Sequence, residues 1–147
     1  MKYSAIAIAN AFIEKANYGK LHNLTPMKLQ KLMFFSQTWY LKSYQTPLFD
    51  GYFERWQYGP VLPEIYHEFK KFGASSISSL GLDMWNELQA VDPNDKQVTE
   101  FLEQIINVCG GYSGTQLSWM THQPETAWSK GQVGTLINFQ EMSEGKV

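Results

Sequence analysis

The segment 26–44, PMKLQKLMFFSQTWYLKSY, constrains the fold more than any other part of the chain. Thr25 followed by Pro26 is a helix start, because threonine accepts a bond from a first-turn amide and proline at the first helical position sacrifices none. The apolar residues that follow, Leu29 through Leu41, occupy more than one face of the helix. A helix wet on only a narrow stripe has to be enclosed by other elements, so this one is expected at the centre.

The punctuation elsewhere supplies the enclosing elements. Ser4 can cap a first helix on which Ala5, Ile8, Ala9, Phe12, Ile13 and Ala16 recur at helical spacing, and Gly19 lies at its exit. Pro63 can open EIYHEFKKFG, with Ile65, Tyr66, Phe69 and Phe72 expected inward and Gly73 closing it. Asn94 or Asp95 caps KQVTEFLEQIINVCGG, whose Val98, Phe101, Leu102, Ile105 and Cys109 form one stripe. Ser113 caps the shorter GTQLSWMTH, and LINFQEMSE reads as helical before a polar tail over 143–147.

Between Pro47 and Gly51 the period changes. In YFERWQYGP, Tyr52, Glu54, Trp56 and Tyr58 share one parity, while Phe53, Arg55 and Gln57 share the other. Aromatic residues in alternation favour extended chain, so a small β-hairpin-like element is expected near 52–58, ended by Pro60 and Pro63. Segment 74–92 is rich in serine and less periodic; LDMWNELQ within it can form a short helix, and the whole reads as a mobile loop. The expectation is a mainly α, compact helical domain built around a central buried helix, one domain over 1–147. A length of 147 residues with 44% hydrophobic content is ample for a single core.

Charge narrows the partners. A net charge of −2 gives no electrostatic footprint for nucleic acid, and Lys28 with Lys31 and Lys70 with Lys71 read as isolated pairs on solvated helix faces. No segment approaches the roughly 18 uninterrupted apolar residues of a membrane span, since Asn10, Glu14 and Lys15 interrupt the N-terminal run. Cys109 is the sole cysteine and implies no disulfide. The chain therefore reads as a soluble cytoplasmic protein that binds no membrane.

The densest chemistry lies in 117–131, LSWMTHQPETAWSKG. A catalytic histidine there needs a nucleophile, a metal or a second titrating group. Gly110, Gly111 and Gly114 follow no strand and precede no Lys-Ser pair, so they read as a helix terminator and not a phosphate cradle. His67 and Glu68 lack the second histidine of a zinc site, and His22 sits in a loop. Cys109 with His122 is the one pairing open to a hydrolase, weakened because the helical stripe buries the thiol. Glu54, Glu64, Glu68 and Glu125 show no spacing that singles out a carboxylate pair. No catalytic residue, metal or cofactor is assigned, and the chain is not expected to be an enzyme. Of Trp39, Trp56, Trp85, Trp119 and Trp128, about two thirds are expected in the core and the rest at an interface.

Three segments in order, LTPMKLQKLMFFSQTWYL, PLFDGYFERWQYGPVLPEIYHEFKKFG and LSWMTHQPETAWSKG, resemble the Panacea domain of the SocA-like antitoxins of bacterial and phage toxin–antitoxin systems. The resemblance runs over about 4–137. It implies a mainly helical domain with a small strand element that neutralises a cognate protein toxin, encoded by a neighbouring gene, by direct binding. The alternative it carries is a phage accessory protein or proteolytic adaptor that presents a partner to a host protease. Leu29, Gln30, Lys31 and Leu32 match one family element, Trp56, Gly59, Pro60 and Pro63 a second, and Thr121, His122 and Trp128 a third. Ala127 stands where the family usually has proline before that tryptophan. Two uses of the third element follow. Either His122 donates to a freed helix-end carbonyl and Trp128 covers the core as a structural clasp, or Trp56, Tyr58, Trp119, His122 and Trp128 form a partner-facing surface.

Overall fold

Helix α2 (Pro26–Tyr44) is buried without interruption from residue 28 to 38. The Thr25 hydroxyl accepts from the Lys28 amide at 3.2 Å, and Gln45 in the left-handed region ends the helix. The computed structural model describes residues 3–147, and the protein is mainly α with one small antiparallel sheet. Around α2 are arranged α1 (Ala5–Asn17), α3 (Pro63–Phe69), α4 (Lys96–Cys109), α5 (Gly114–Thr121) and α6 (Phe139–Glu144). Their inward residues, Phe12, Ile65, Leu102, Ile105, Leu117 and Met142, join Leu29, Leu32, Phe34 and Phe35 of α2 in one core. Among the described residues no helix is long and apolar enough to cross a membrane.

The helices are tied to passing chain by buried amides. Gln30 exchanges two bonds with the backbone of Leu62, at 2.8 and 3.0 Å. One face-repeat later, Gln37 donates to Phe49 O at 2.8 Å and accepts from the Leu48 and Phe49 amides. These carboxamides replace the strand partner that an extended segment next to a helix otherwise lacks.

Strands β1 (Phe53–Trp56) and β2 (Gly59–Val61) form the expected hairpin, and β3 (Leu136–Ile137) adds to the other side of β1, giving the order β2-β1-β3. Phe53 and Arg55 are buried, so in β1 their parity, and not that of Glu54 and Trp56, faces the interior. Four local expectations are corrected. Pro60 does not end the hairpin but lies inside β2, opposite Arg55. Arg55 turns its own amide and carbonyl to the other neighbour, bonding Thr135 O and Gly134 N, so its partner across β2 needs no N–H. Leu136 and Ile137 are strand, and the helix begins only after Asn138, which caps α6 in a reciprocal box with Glu141. LDMWNELQ is not helical, because the Asp83 carboxylate captures the Trp85 and Glu87 amides and turns the chain. Tyr66 is 39% exposed and packs on Trp56, while Phe72 is half-buried in a 3₁₀ turn, Lys70–Phe72. At the other end of the chain, Trp39 Nε1 donates to Val147 O at 2.7 Å and Lys42 to Gly145 O.

Candidate functional site

The chemistry-bearing residues of 117–131 meet the β1–β2 turn. Gly59 in that turn has φ +114°, and a Cβ there would stand 2.8 Å from Thr121 Oγ1 and 2.9 Å from Lys31 Cε, so only glycine lets the turn approach α5 and α2 this closely. Three successive carbonyls of the turn each face one polar side-chain atom. Trp128 Nε1 donates to Trp56 O at 2.9 Å, His122 Nε2 lies 2.8 Å from Gln57 O, and Ser118 Oγ donates to Tyr58 O at 2.6 Å. Two residues on, Lys31 Nζ reaches Pro60 O at 3.2 Å.

Helix α5 aims these donors. Ser113 and Gln116 close a capping box at its start, and Ser118, Thr121 and His122 then fall at i, i+3 and i+4, on one face. His122 also holds Nδ1 at 2.6 Å from Ser118 O, so both ring nitrogens face backbone carbonyls. A neutral ring donates to one of them and an imidazolium to both. The Trp128 ring rests on the His122 ring with centroids 4.1 Å apart. Thr126 Oγ1 lies 2.7 Å from Thr121 O, a freed carbonyl at the helix end, and 2.8 Å from Gln123 O, its one proton shared between them.

Beneath the clasp lies Arg55, 2% exposed. Its guanidinium donates to Trp128 O and Ala127 O, both at 2.9 Å, to Leu136 O and Thr135 Oγ1, and to Glu141 Oε2 at 2.7 Å. Ala127, in the place of the family's proline, is thus held through its carbonyl. Burial pushes the Glu141 carboxyl up, but the Asn138 amide and Arg55 outweigh it and keep the group below its usual range.

The residues singled out from the sequence separate into three settings. Leu29 and Leu32 are core, Gln30 clamps Leu62, and Pro63 opens α3. Lys31, Gly59, Pro60, Thr121, His122 and Trp128 come together at the turn, joined there by the backbone of Trp56, whose ring lies 4.8 Å from Tyr66. Tyr58 and Trp119 are 62% and 65% exposed, Trp119 bordering an apolar groove with Phe35, Trp39, Val108 and Met120. Lys28 and Lys31 are not on solvated faces: both are buried, and Lys28 donates to His22 O and Gly110 O. Burial pushes the Lys31 ammonium down to about 7 and the Cys109 thiol up to about 11. Arg55 and Ser118 were not singled out; the signal available was a lone arginine sharing the parity of a core phenylalanine, Phe53. Among the described residues no group of three or more His, Cys, Asp or Glu is placed to hold a metal ion.

A mainly helical domain whose hairpin turn is gripped by a Thr-His segment and its closing tryptophan defines a class, and the comparisons name it. Residues 29–129 match the family described as antitoxin SocA-like, Panacea domain, and the chain belongs to that family. Antitoxin SocA of Caulobacter vibrioides (strain NA1000 / CB15N) is 30% identical to it over 128 residues, which are 84% of this chain and 68% of that protein. No solved structure matches.

Proposed function

We propose that this protein is an antitoxin that binds a protein toxin, encoded by a neighbouring gene, and neutralises it by that binding. The observation that carries the reading is the similarity to antitoxin SocA over most of both chains. The site geometry supports binding over hydrolysis. Both nitrogens of His122 are engaged by carbonyls, and a thiol pushed up to about 11 is not a nucleophile at neutral pH. The clasp residues His122 and Trp128 are spent on holding the turn, whereas Tyr58 and Trp119 are free to meet a partner.

Co-expression of this chain with the product of each adjacent gene tests the reading. One neighbour is expected to arrest growth alone and to be tolerated with this chain, and the two proteins are expected to co-purify. Toxicity undiminished by co-expression sinks the proposal. If protection instead coincides with a shortened lifetime of the toxin, and is lost in a protease-deficient host, the protein is an adaptor for proteolysis.

A further inference from the structure

Three well-exposed apolar side chains are concentrated on one loop. Met84, Trp85 and Leu88 are 75%, 73% and 57% exposed. Single exposed apolar residues are ordinary, but here three project from a backbone that is held at its ends and at its tip. At the ends, Asn10 of α1, 1% exposed, donates to Gly81 O at 3.1 Å and Gln89 O at 2.9 Å and accepts from the Gly81 amide at 2.7 Å. At the tip, Asp83 accepts from the Trp85 and Glu87 amides and from Gln89 Nε2, while its own amide donates to Glu87 O. Glu68 takes the Leu82 amide at 2.6 Å, and a Cβ on Gly81 would overlap the buried ring of Phe69. Such bonding lowers the ordering entropy that a loop otherwise loses on binding.

The surroundings of the loop are acidic. Glu64, Glu68, Asp83 and Glu87 lie on it or beside it, close enough that Asp83 and Glu68 act on Glu64. Among the described residues none of the four is in an ion pair. Lys70 and Lys71 follow α3, with the Lys71 ammonium lying over the Phe72 ring, 5.5 Å from its centroid. Acids around a Met-Trp-Leu tip disfavour an anionic membrane surface, which attracts basic residues, and disfavour a second copy presenting the same rim. They favour a protein cleft bordered by Lys and Arg.

We propose that loop 82–88 is the docking finger of this protein, its Trp85, Met84 and Leu88 entering an apolar cleft, rimmed by basic residues, on the protein partner. The proposal rests on the antitoxin reading and adds where the toxin is met. Asp83 and Asn10 are positioning residues, and Trp85 is the anchor.

The test uses the intact chain and the adjacent-gene product that it neutralises. Trp85→Ala is expected to weaken binding by about 30-fold or more, the loss of an interface anchor, with the melting temperature unchanged. Glu87→Lys is expected to slow association and flatten its salt dependence. Asp83→Ala weakens binding with Trp85 still present, and Asp83→Asn, which keeps an oxygen for the two amides, restores it. In the wild-type complex the amides of 82–88 gain protection from hydrogen exchange. If the wild type neutralises its toxin and Trp85→Ala binds as well as wild type, the docking finger is refuted and the antitoxin reading stands. If the wild type binds no neighbouring product, that reading falls and takes the finger with it. Trp85-dependent self-association in sedimentation, or Trp85-dependent binding to vesicles containing phosphatidylserine, with toxin binding unaffected, assigns the loop another occupant and also overturns the proposal.

Discussion

Lys31 carries an ammonium with three donors into the interior, where Pro60 O at 3.2 Å is its acceptor and, among the described residues, no acid pairs with it. Burial lowers its pKa from 10.5 to about 7, so between those values the unfolded chain binds the extra proton and stability rises with pH. Cys109 acts with the opposite sign. Its thiol is raised from 9.0 to about 11, so its contribution is present below 9.0 and lost as pH climbs through 11. Chemical denaturation from pH 7 to 9 is expected to show rising stability, which Lys31→Met abolishes. Above pH 9 the Cys109 slope opposes that of Lys31, so the rise is expected to level off, and in Cys109→Ala it continues towards 10.5. A wild-type curve flat from pH 7 to 9 contradicts the assignment. These two residues also show what was legible at this scale. The caps Ser4, Thr25 and Ser113 and the burial of Cys109 follow from neighbours a few positions away. The burial of Lys31 and Arg55 does not, because the carbonyls that make it tolerable belong to residues 60, 127, 128 and 136, remote in sequence.

Helices were legible as elements because each carries its own period and caps; where a segment's state depends on a distant partner, local pattern misleads. Leu136 and Ile137 carry helix-compatible side chains, yet pairing with Phe53 and Glu54 draws them into a strand. The glutamines of α2 are a second case. Their spacing of seven places them on one face of α2, but only the fold shows that the face meets two extended segments. Gln37→Leu strands the Leu48 amide and the Phe49 amide and carbonyl, whereas Gln30→Leu strands the Leu62 amide alone, because the Leu62 carbonyl keeps the Tyr66 amide. Gln37→Leu is expected to cost about 2 to 4 kcal/mol and Gln30→Leu about 1 to 3, since an unsatisfied buried group costs about 1 to 3. The two sites are about 10 Å apart along the helix and share no partner, so the double variant should show the sum. Urea unfolding of the four proteins measures this. A cost under about 0.5 kcal/mol for either single variant means that water replaces the amide and the clamp is dispensable.

At the scale of the molecule, the family match covers 29–129, but the fold does not close within those limits. Helix α1 lies before them and contributes Ile6, Ile8, Ala9, Phe12 and Ile13, all fully buried, as well as the Asn10 clamp on Gly81 and Gln89. Beyond them, β3 completes the sheet, Met142 of α6 is fully buried, and Glu141 is the acid paired with Arg55. A fragment 29–129 therefore exposes the α1-facing side of α2 and leaves the Arg55 guanidinium buried against Trp128 O and Ala127 O with its charge unpaired. Removing one partner of a buried ion pair costs about 3 to 5 kcal/mol, and each large apolar side chain that loses its burial about 1.5 to 3. Summed over the large side chains of α1 and Met142, the loss is about 10 to 20 kcal/mol, as large as the roughly 5 to 15 kcal/mol by which a domain of this size is stable. The fragment is expected to show no cooperative thermal transition and collapsed amide dispersion in a proton–nitrogen correlation spectrum, while the whole chain shows both a transition and wide dispersion. Adding back 1–28 as a separate peptide should not rescue it, because β3 and α6 are still missing. A fragment 29–129 that melts cooperatively would mean that the α2, α4, α5 and hairpin core is sufficient, and that α1 and α6 are additions to it.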